Sequence, residues 1–523
     1  MATVDEQRRE QVGEPTQGSF ATSRRIAGGT SVRAIGEVVA KLANVVFFIV
    51  IARELGDQAF GAFIFGISFA SIMMIAAGFG TDELVTREVA RDKGRVHVLF
   101  KDVITAKAAL MVVLLAVMAL VLAIGNYDTE TQVAVLLIGL GIAFEYLAKS
   151  IHAVFQAYEQ MQYIAATLVI QRMFTATVGT IVVLKGGGLV AASAILAIGG
   201  LLGLATAFWW LYRRVVRPQG NLDTRRWLGI LKAGAPLGVM VLLYVSLIKL
   251  DATLLSFLNG GDNEAVGHYG AAYRLVDATM FLSWSFGAAV LPWFATHREG
   301  SPVSLSRGYE LGLKAMITIL LPIGVIYAVF ATQLIELLYG NAYDASVAPL
   351  RLLGGMTILF GINTFVSIVL IARDRPGEFT RPAVIVFIQN VVFNLILIPR
   401  YGASGAAFNA VLSGCLLALL TVMRVGRKMG HVSFSAALIS PAVAGAAMAG
   451  AGLGLLALGV PWVLAVAVCI AVFAAAFLLV ERIFFPEDFA LYSGMLRFRD
   501  RLRRERAPVD LPSEVAAEGR LDL

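Results

Sequence analysis

In the stretch IKLDATLLSFLNGGDNEAVGHYGAAYRLVD, residues 248–277, four ionisable side chains (Lys249, Asp251, Arg274 and Asp277) sit inside two apolar runs joined by a short polar turn. Such a set can do two kinds of chemistry. The charges can neutralise one another as buried ion pairs, Lys249 with Asp277 and Asp251 with Arg274, in either combination. Alternatively, the cations can face a wet cleft and hold phosphate, arginine through its planar fork and lysine as a mobile point charge. A carboxylate beside them would then tune them or take a coupling H⁺ or Na⁺. The two arrangements coexist if pairs exchange during a cycle.

Lys41, Lys107, Arg172, Lys232 and Lys314 also lie within apolar runs, which makes seven such cations. A charge facing lipid at mid-membrane costs about 2.5–3.5 kcal/mol even on the lenient insertion scale. Seven would cost on the order of 20 kcal/mol, more than the roughly 5–15 kcal/mol that holds a domain folded. They must therefore pair, snorkel or line water. Lys232 lies close enough to a span end to snorkel. Lys41, Lys107 and Lys314 fall in the inner half, Arg172 near the middle, and Lys249 and Arg274 in the outer half. This ladder of positive charge suits an anionic group that must leave one leaflet's water and reach the other's. Glu37 and Lys41, like Glu145 and Lys149, stand one helical turn apart, so local pairing on a cavity wall is the competing reading. Arg172 has no carboxylate near it in its own helix and is the foremost candidate to bind a ligand.

The elements that must position these residues follow from composition. The chain has 523 residues, 58% of them hydrophobic and only 15% charged, with a mean hydropathy of +0.77. A soluble domain carries about 25% charged residues. The apolar runs recur over nearly the whole length, predicting an all-α polytopic membrane protein with about 14 transmembrane helices. The expected organisation is a polar cytoplasmic tail (1–30), a six-helix bundle (31–212), a cytoplasmic linker (213–228), a second six-helix bundle (229–425), an extra helix pair (436–480) and a basic cytoplasmic tail (481–523). Basic segments such as TREVARDKGRVH, RRVVRPQGNLDTRR and RFRDRLRRER fall on one side of the alternating spans. GNYDTET and NGGDNEA, without a basic residue, fall on the other. The positive-inside bias thus puts both termini in the cytoplasm of a cell membrane. It also accounts for the net charge of +7 without a nucleic-acid partner.

Other residues carry weaker signals. Tyr244, Asn363, Gln389, Asn390 and Asn394 suit either sugar hydroxyls or interhelical hydrogen bonds. The five histidines, His268 among them, show no metal-ligand spacing and read as loop or span-end residues, so no metal is expected. The two cysteines read as small packing residues.

The halves echo each other. AFGAFIF after the first span resembles AVGHYGA after the seventh, placing Phe60–Gly61 opposite Val266–Gly267, and Gln171 corresponds to Gln389. A six-span repeat keeps its orientation, so the bundles would be related by a pseudo-two-fold axis along the membrane normal, with a site between them. ARELGDQAFGAFIFGISFASIMMIAAGFGTDELVTREVAR, KLDATLLSFL with AVGHYGAAYRL, LYGNAYDASVAPLRLLGGMTILFGINTFVSIVLIA and NLILIPRYGASGAAFNAVLSG, in that order, resemble the polysaccharide-biosynthesis flippases of the multidrug/oligosaccharidyl-lipid/polysaccharide exporter superfamily. The resemblance runs over about residues 25 to 480. It implies two six-helix bundles in a V and alternating-access translocation of an isoprenoid-pyrophosphate-linked oligosaccharide, working beside glycan-assembly enzymes among the membrane lipids.

Two relatives within the superfamily compete with this reading. A cation-coupled drug exporter would favour carboxylates and aromatics in its cavity, whereas the candidates here lean basic. A peptidoglycan-precursor flippase would look the same by these criteria. A membrane glycan polymerase needs a catalytic constellation on an outer loop, and the longest one, around 332–346, carries only Glu336 and Asp344 as ionisable groups. A transporter with no cofactor beyond a coupling ion is expected, and no enzyme.

Overall fold

The computed structural model describes residues 17–219, 222–296, 302–373, 377–429 and 434–490, and every regular element among them is helical. Only helices satisfy their own backbone polar groups in oil, so long apolar runs have no other stable outcome. In chain order the helices are α1 (Gln17–Gly78), α2 (Thr81–Arg91), α3 (Val96–Ile124), α4 (Thr129–Ala157), α5 (Met161–Leu184), α6 (Leu189–Trp210), α7 (Trp227–Leu258), α8 (Glu264–Thr296), α9 (Pro302–Val329), α10 (Ala331–Tyr339), α11 (Val347–Ala372), α12 (Gly377–Met429), α13 (Phe434–Ala457) and α14 (Trp462–Phe484).

Twelve of the described helical stretches are long and apolar enough to cross a membrane, which makes this a multi-span membrane protein. Two of the twelve, in α1 and α12, are each a pair of helices joined across a break, at Gly56 (φ 77°) and Gly402 (φ 52°). These backbone angles are ones glycine adopts at no steric cost. Dividing both stretches recovers the fourteen spans expected from hydropathy. Large apolar side chains stand exposed along them, among them Val112 at 67% and Leu453 at 60%, as lipid-facing residues must.

Packing sorts the helices into two sets. Helices α1 and α3 to α6 pack mainly on one another, and so do α8, α9, α11 and α12, while α7 packs on α12 and equally on α1. Helix α13 lies on α9, and α14 lies chiefly on α13, joined through Phe330, Met448, Cys469, Phe473 and Phe477. The two sets meet where α1 packs on α7 and α8, and where α2 meets α7.

The seam is tight at both ends. At one end a Cβ added to Gly267 would lie 2.1 Å from the Asp57 carbonyl oxygen, and one added to Gly61 would lie 1.8 Å from that of Asn263. The Tyr343 hydroxyl donates to the Ala52 carbonyl at 2.8 Å, Arg53 donates to the carbonyls of Leu337 and Leu338, and the Tyr127 and Ser256 hydroxyls stand 3.0 Å apart. At the other end Gly238 is pressed against the backbone of Phe79, 2.5 Å from its carbonyl carbon to an added Cβ.

Candidate functional site

Between the closed ends lies a cavity of about 690 Å³ whose wall is drawn from both sets. Helix α1 supplies Asn44 and Phe48, α4 supplies Glu145, Tyr146 and Lys149, α5 supplies Gln171 and Arg172, and α8 supplies Arg274, Asp277 and Trp284, with Tyr339 from α10. Three cations thus face two carboxylates on an otherwise aromatic and amide-bearing surface. That composition suits an anionic, hydroxyl-rich ligand with apolar parts.

Its charges are held differently from one another. Arg172 makes no hydrogen bond or ion pair with any described side chain, so its five N–H donors are available to the cavity. Arg274 is partly committed: its Nη1 is 3.1 Å from Asp277 Oδ2, one turn along the same helix, and its guanidinium lies 3.6 Å from the centre of the Phe48 ring. The ring face leaves the guanidinium edge free on one side. Lys149 stands over Tyr146, its Nζ 3.7 Å from the ring centre, and forms no ion pair with Glu145 despite the four-residue spacing.

The residues singled out from sequence therefore divide. Arg172, Arg274, Asp277 and Glu145 come together on the cavity wall. Neither cross-helix pairing of the 248–277 stretch forms: Arg274 takes Asp277, Lys249 lies 5.7 Å from the centre of the Tyr273 ring, and Asp251 goes elsewhere. Lys249 and Arg274 share a small pocket beside the main one. Glu37 and Lys41 lie outside the residues whose side chains are described.

Lys107 and Lys314 do not line the cavity. Lys107 is 1% exposed, with its Nζ 2.8 and 2.9 Å from the Asp82 carboxylate oxygens and 3.0 Å from Ser150 Oγ. Ser150 in turn donates to Asp82 at 2.7 Å, which closes the network. Asp82 lies in the first turn of α2, where a carboxylate also suits the helix dipole. Lys314 is equally buried, 2.5 Å from Glu481 Oε1, 2.7 Å from Asp488 Oδ2 and 4.4 Å from the Phe485 ring centre. Its partners come from the end of α14 and the turn after it, because that last span runs past residue 480 and its end folds back on α9.

Asp251 occupies a second polar centre. The residue is 1% exposed and no cation among the described residues pairs with it; Asn390 and Asn394 donate to Oδ1 at 3.2 and 2.7 Å, and Tyr269 to Oδ2 at 3.2 Å. Asn394 Oδ1 has no hydrogen-bond partner among the described residues. Gln389, Asn409 and Ser413 extend the network, and Asn363 bonds the Gly414 carbonyl, so these amides serve interhelical contacts. Sequence reasoning passed over Lys149, taken for a span-end residue, and over Asn44, Tyr339 and Trp284. An apolar helix gives no sign of which of its polar residues face a seam.

Two helical sets around a central, charge-lined cavity make a fold shared with solved structures of the MOP superfamily. The chain is similar to the Lipid II flippase MurJ in its inward closed conformation, with a TM-score of 0.71 and 14% identity over 87% of this chain and 99% of that one. It is also similar to an inward-facing multidrug resistance MATE family transporter of the MOP superfamily, with a TM-score of 0.60 and 16% identity over 75% and 94% of the two chains. A family profile, described as polysaccharide biosynthesis protein, matches residues 26–297, more than half of the sequence, and the chain belongs to that family. Agl15 of Haloferax volcanii, a probable low-salt glycan biosynthesis flippase, is 25% identical over 152 residues, 28% of this chain and 32% of that protein. The chain spans between 32% and 42% of the length of the curated relatives it matches.

Proposed function

We propose that this protein translocates an isoprenoid-diphosphate-linked oligosaccharide from the inner to the outer leaflet by alternating access, for building a cell-surface glycan. The observation that carries the reading is the cavity between the halves, with Arg172 from one half unpaired among the described residues and Arg274 from the other only half-committed. A diphosphate loses its hydration on entering such a site, and fixed guanidinium donors replace it. Asn44, Gln171 and Trp284 suit the sugars, while the isoprenoid chain stays in lipid. With the termini cytoplasmic, the end sealed at Gly61 and Gly267 faces outward, and opening it while closing the other exposes the cavity to each leaflet in turn.

Asp251 gives the cycle a place to take a coupling H⁺ or Na⁺. A buried carboxylate with no cationic partner among the described residues, beside the Asn394 oxygen that likewise finds none there, has room for one positive charge or one proton.

Reconstitution of the full chain into vesicles carrying a fluorescent isoprenoid-diphosphate glycan tests both points. We expect inner-to-outer transfer that competes with a soluble diphosphate and responds to an imposed H⁺ or Na⁺ gradient, and an Asp251→Asn variant that no longer responds to the gradient. A chain that moves cationic dyes and ignores the diphosphate lipid is instead a drug exporter.

A further inference from the structure

At the end of the seam assigned to the outside, three side chains converge that transport does not use. Asp57 follows the Gly56 break in α1, and Glu264 and His268 lie one turn apart at the start of α8. Asp57 belongs to one half of the molecule and the other two to its partner half. Their ligand atoms all lie within 4.8 Å of one another: His268 Nε2 is 3.7 Å from Asp57 Oδ2 and 3.5 Å from Glu264 Oε1.

These separations are long for hydrogen bonds and right for a shared metal. Ligands about 2.0–2.2 Å from a tetrahedral zinc stand about 3.3–3.6 Å apart. The imidazole is 93% buried, and its Nε2, aimed at the two carboxylates, makes no hydrogen bond with a described residue. The rest of the ring is fixed: Nδ1 lies 3.4 Å from Ser346 Oγ, and the Tyr343 ring meets it edge-on at 5.7 Å. An outer partner on the second ring nitrogen is how metal-ligating histidines are oriented. Asp57 is likewise held, its Oδ1 taking the Gln58 N–H at 2.8 Å and leaving Oδ2 for the centre. Glu264 is exposed and gives access from water.

We infer that Asp57, Glu264 and His268 form a binding site for a zinc-type transition-metal dication, with water as fourth ligand, that clasps the two halves together. One imidazole among carboxylates selects such an ion over Ca²⁺ or Mg²⁺, which demand oxygen ligands. Because the ligands come from both halves, the site exists only while this end is closed. A bound ion therefore favours that state and slows the cycle.

Titrating ZnCl₂ into metal-stripped full-length protein in detergent tests the site without any transport assay. We expect one site whose affinity falls by more than roughly 10-fold in His268→Ala and in the exposed, fold-neutral Glu264→Gln. Zn²⁺ should also raise the yield of a disulfide engineered across this end of the seam, in the parent and not in Glu264→Gln. Zinc binding unchanged in both variants, binding of Ca²⁺ in place of Zn²⁺, or no binding at all, as for a histidine that merely pairs with acids, would overturn the assignment.

Discussion

Lys314 and Arg172 are both cations inside apolar helices, and they lead different lives. Lys314 is 1% exposed and clamped by Glu481 and Asp488, while Arg172 stands on a cavity wall with no described partner. Lys107, with Asp82 and Ser150, belongs with the first kind; Arg274, half given to Asp277, lies between the two. A charge in a membrane helix is therefore no mark of a substrate path by itself. What separates a clamp from a binding group is whether a carboxylate from another element reaches it.

That contrast can be broken by substitution. Lys314→Met should have the largest effect on stability: it leaves the buried Glu481 without its cation and Asp488 with Arg307 alone, and breaking a buried pair costs about 3–5 kcal/mol. Thermal unfolding in detergent would show it, and an unchanged Tm would mean the clamp is not structural. Lys107→Met should follow at a lower cost, because Asp82 is 23% exposed and can be rehydrated. Lys249→Met sharpens the comparison from the other side. With an aromatic ring beside it and no ion pair among the described residues, its removal should leave the Tm unchanged or raise it. Tyr343→Phe, which removes one hydrogen bond across the seam, should have the smallest effect, about 1 kcal/mol, seen as weaker cross-linking of the two halves.

Sequence carried the spans well, because a bilayer tolerates only long apolar helices and the hydropathy of each run is a local property. It put Arg172 foremost among the binding candidates on similarly local grounds: no carboxylate nearby in its own helix explained it. Partners distant in the chain were out of reach. Asp82 lies 25 residues before Lys107 on a short amphipathic helix, and Asp488 lies 174 residues after Lys314 in a stretch that composition assigns to a basic tail. His268 was read as a span-end residue because its second carboxylate, Asp57, lies in the other half of the repeat. Close spacing also misled once: Glu145 and Lys149 share a helix face, yet the lysine prefers the Tyr146 ring.

The most direct test of the transport account is Arg172→Ala in vesicles carrying the diphosphate-linked glycan, with insertion and Tm followed in the same preparation. The cavity reading predicts that transfer between leaflets is lost while the Tm stays within about 0.5 kcal/mol of the parent's stability, as for a side chain that supports no packing. Transfer at the parent rate in a correctly inserted variant would contradict it.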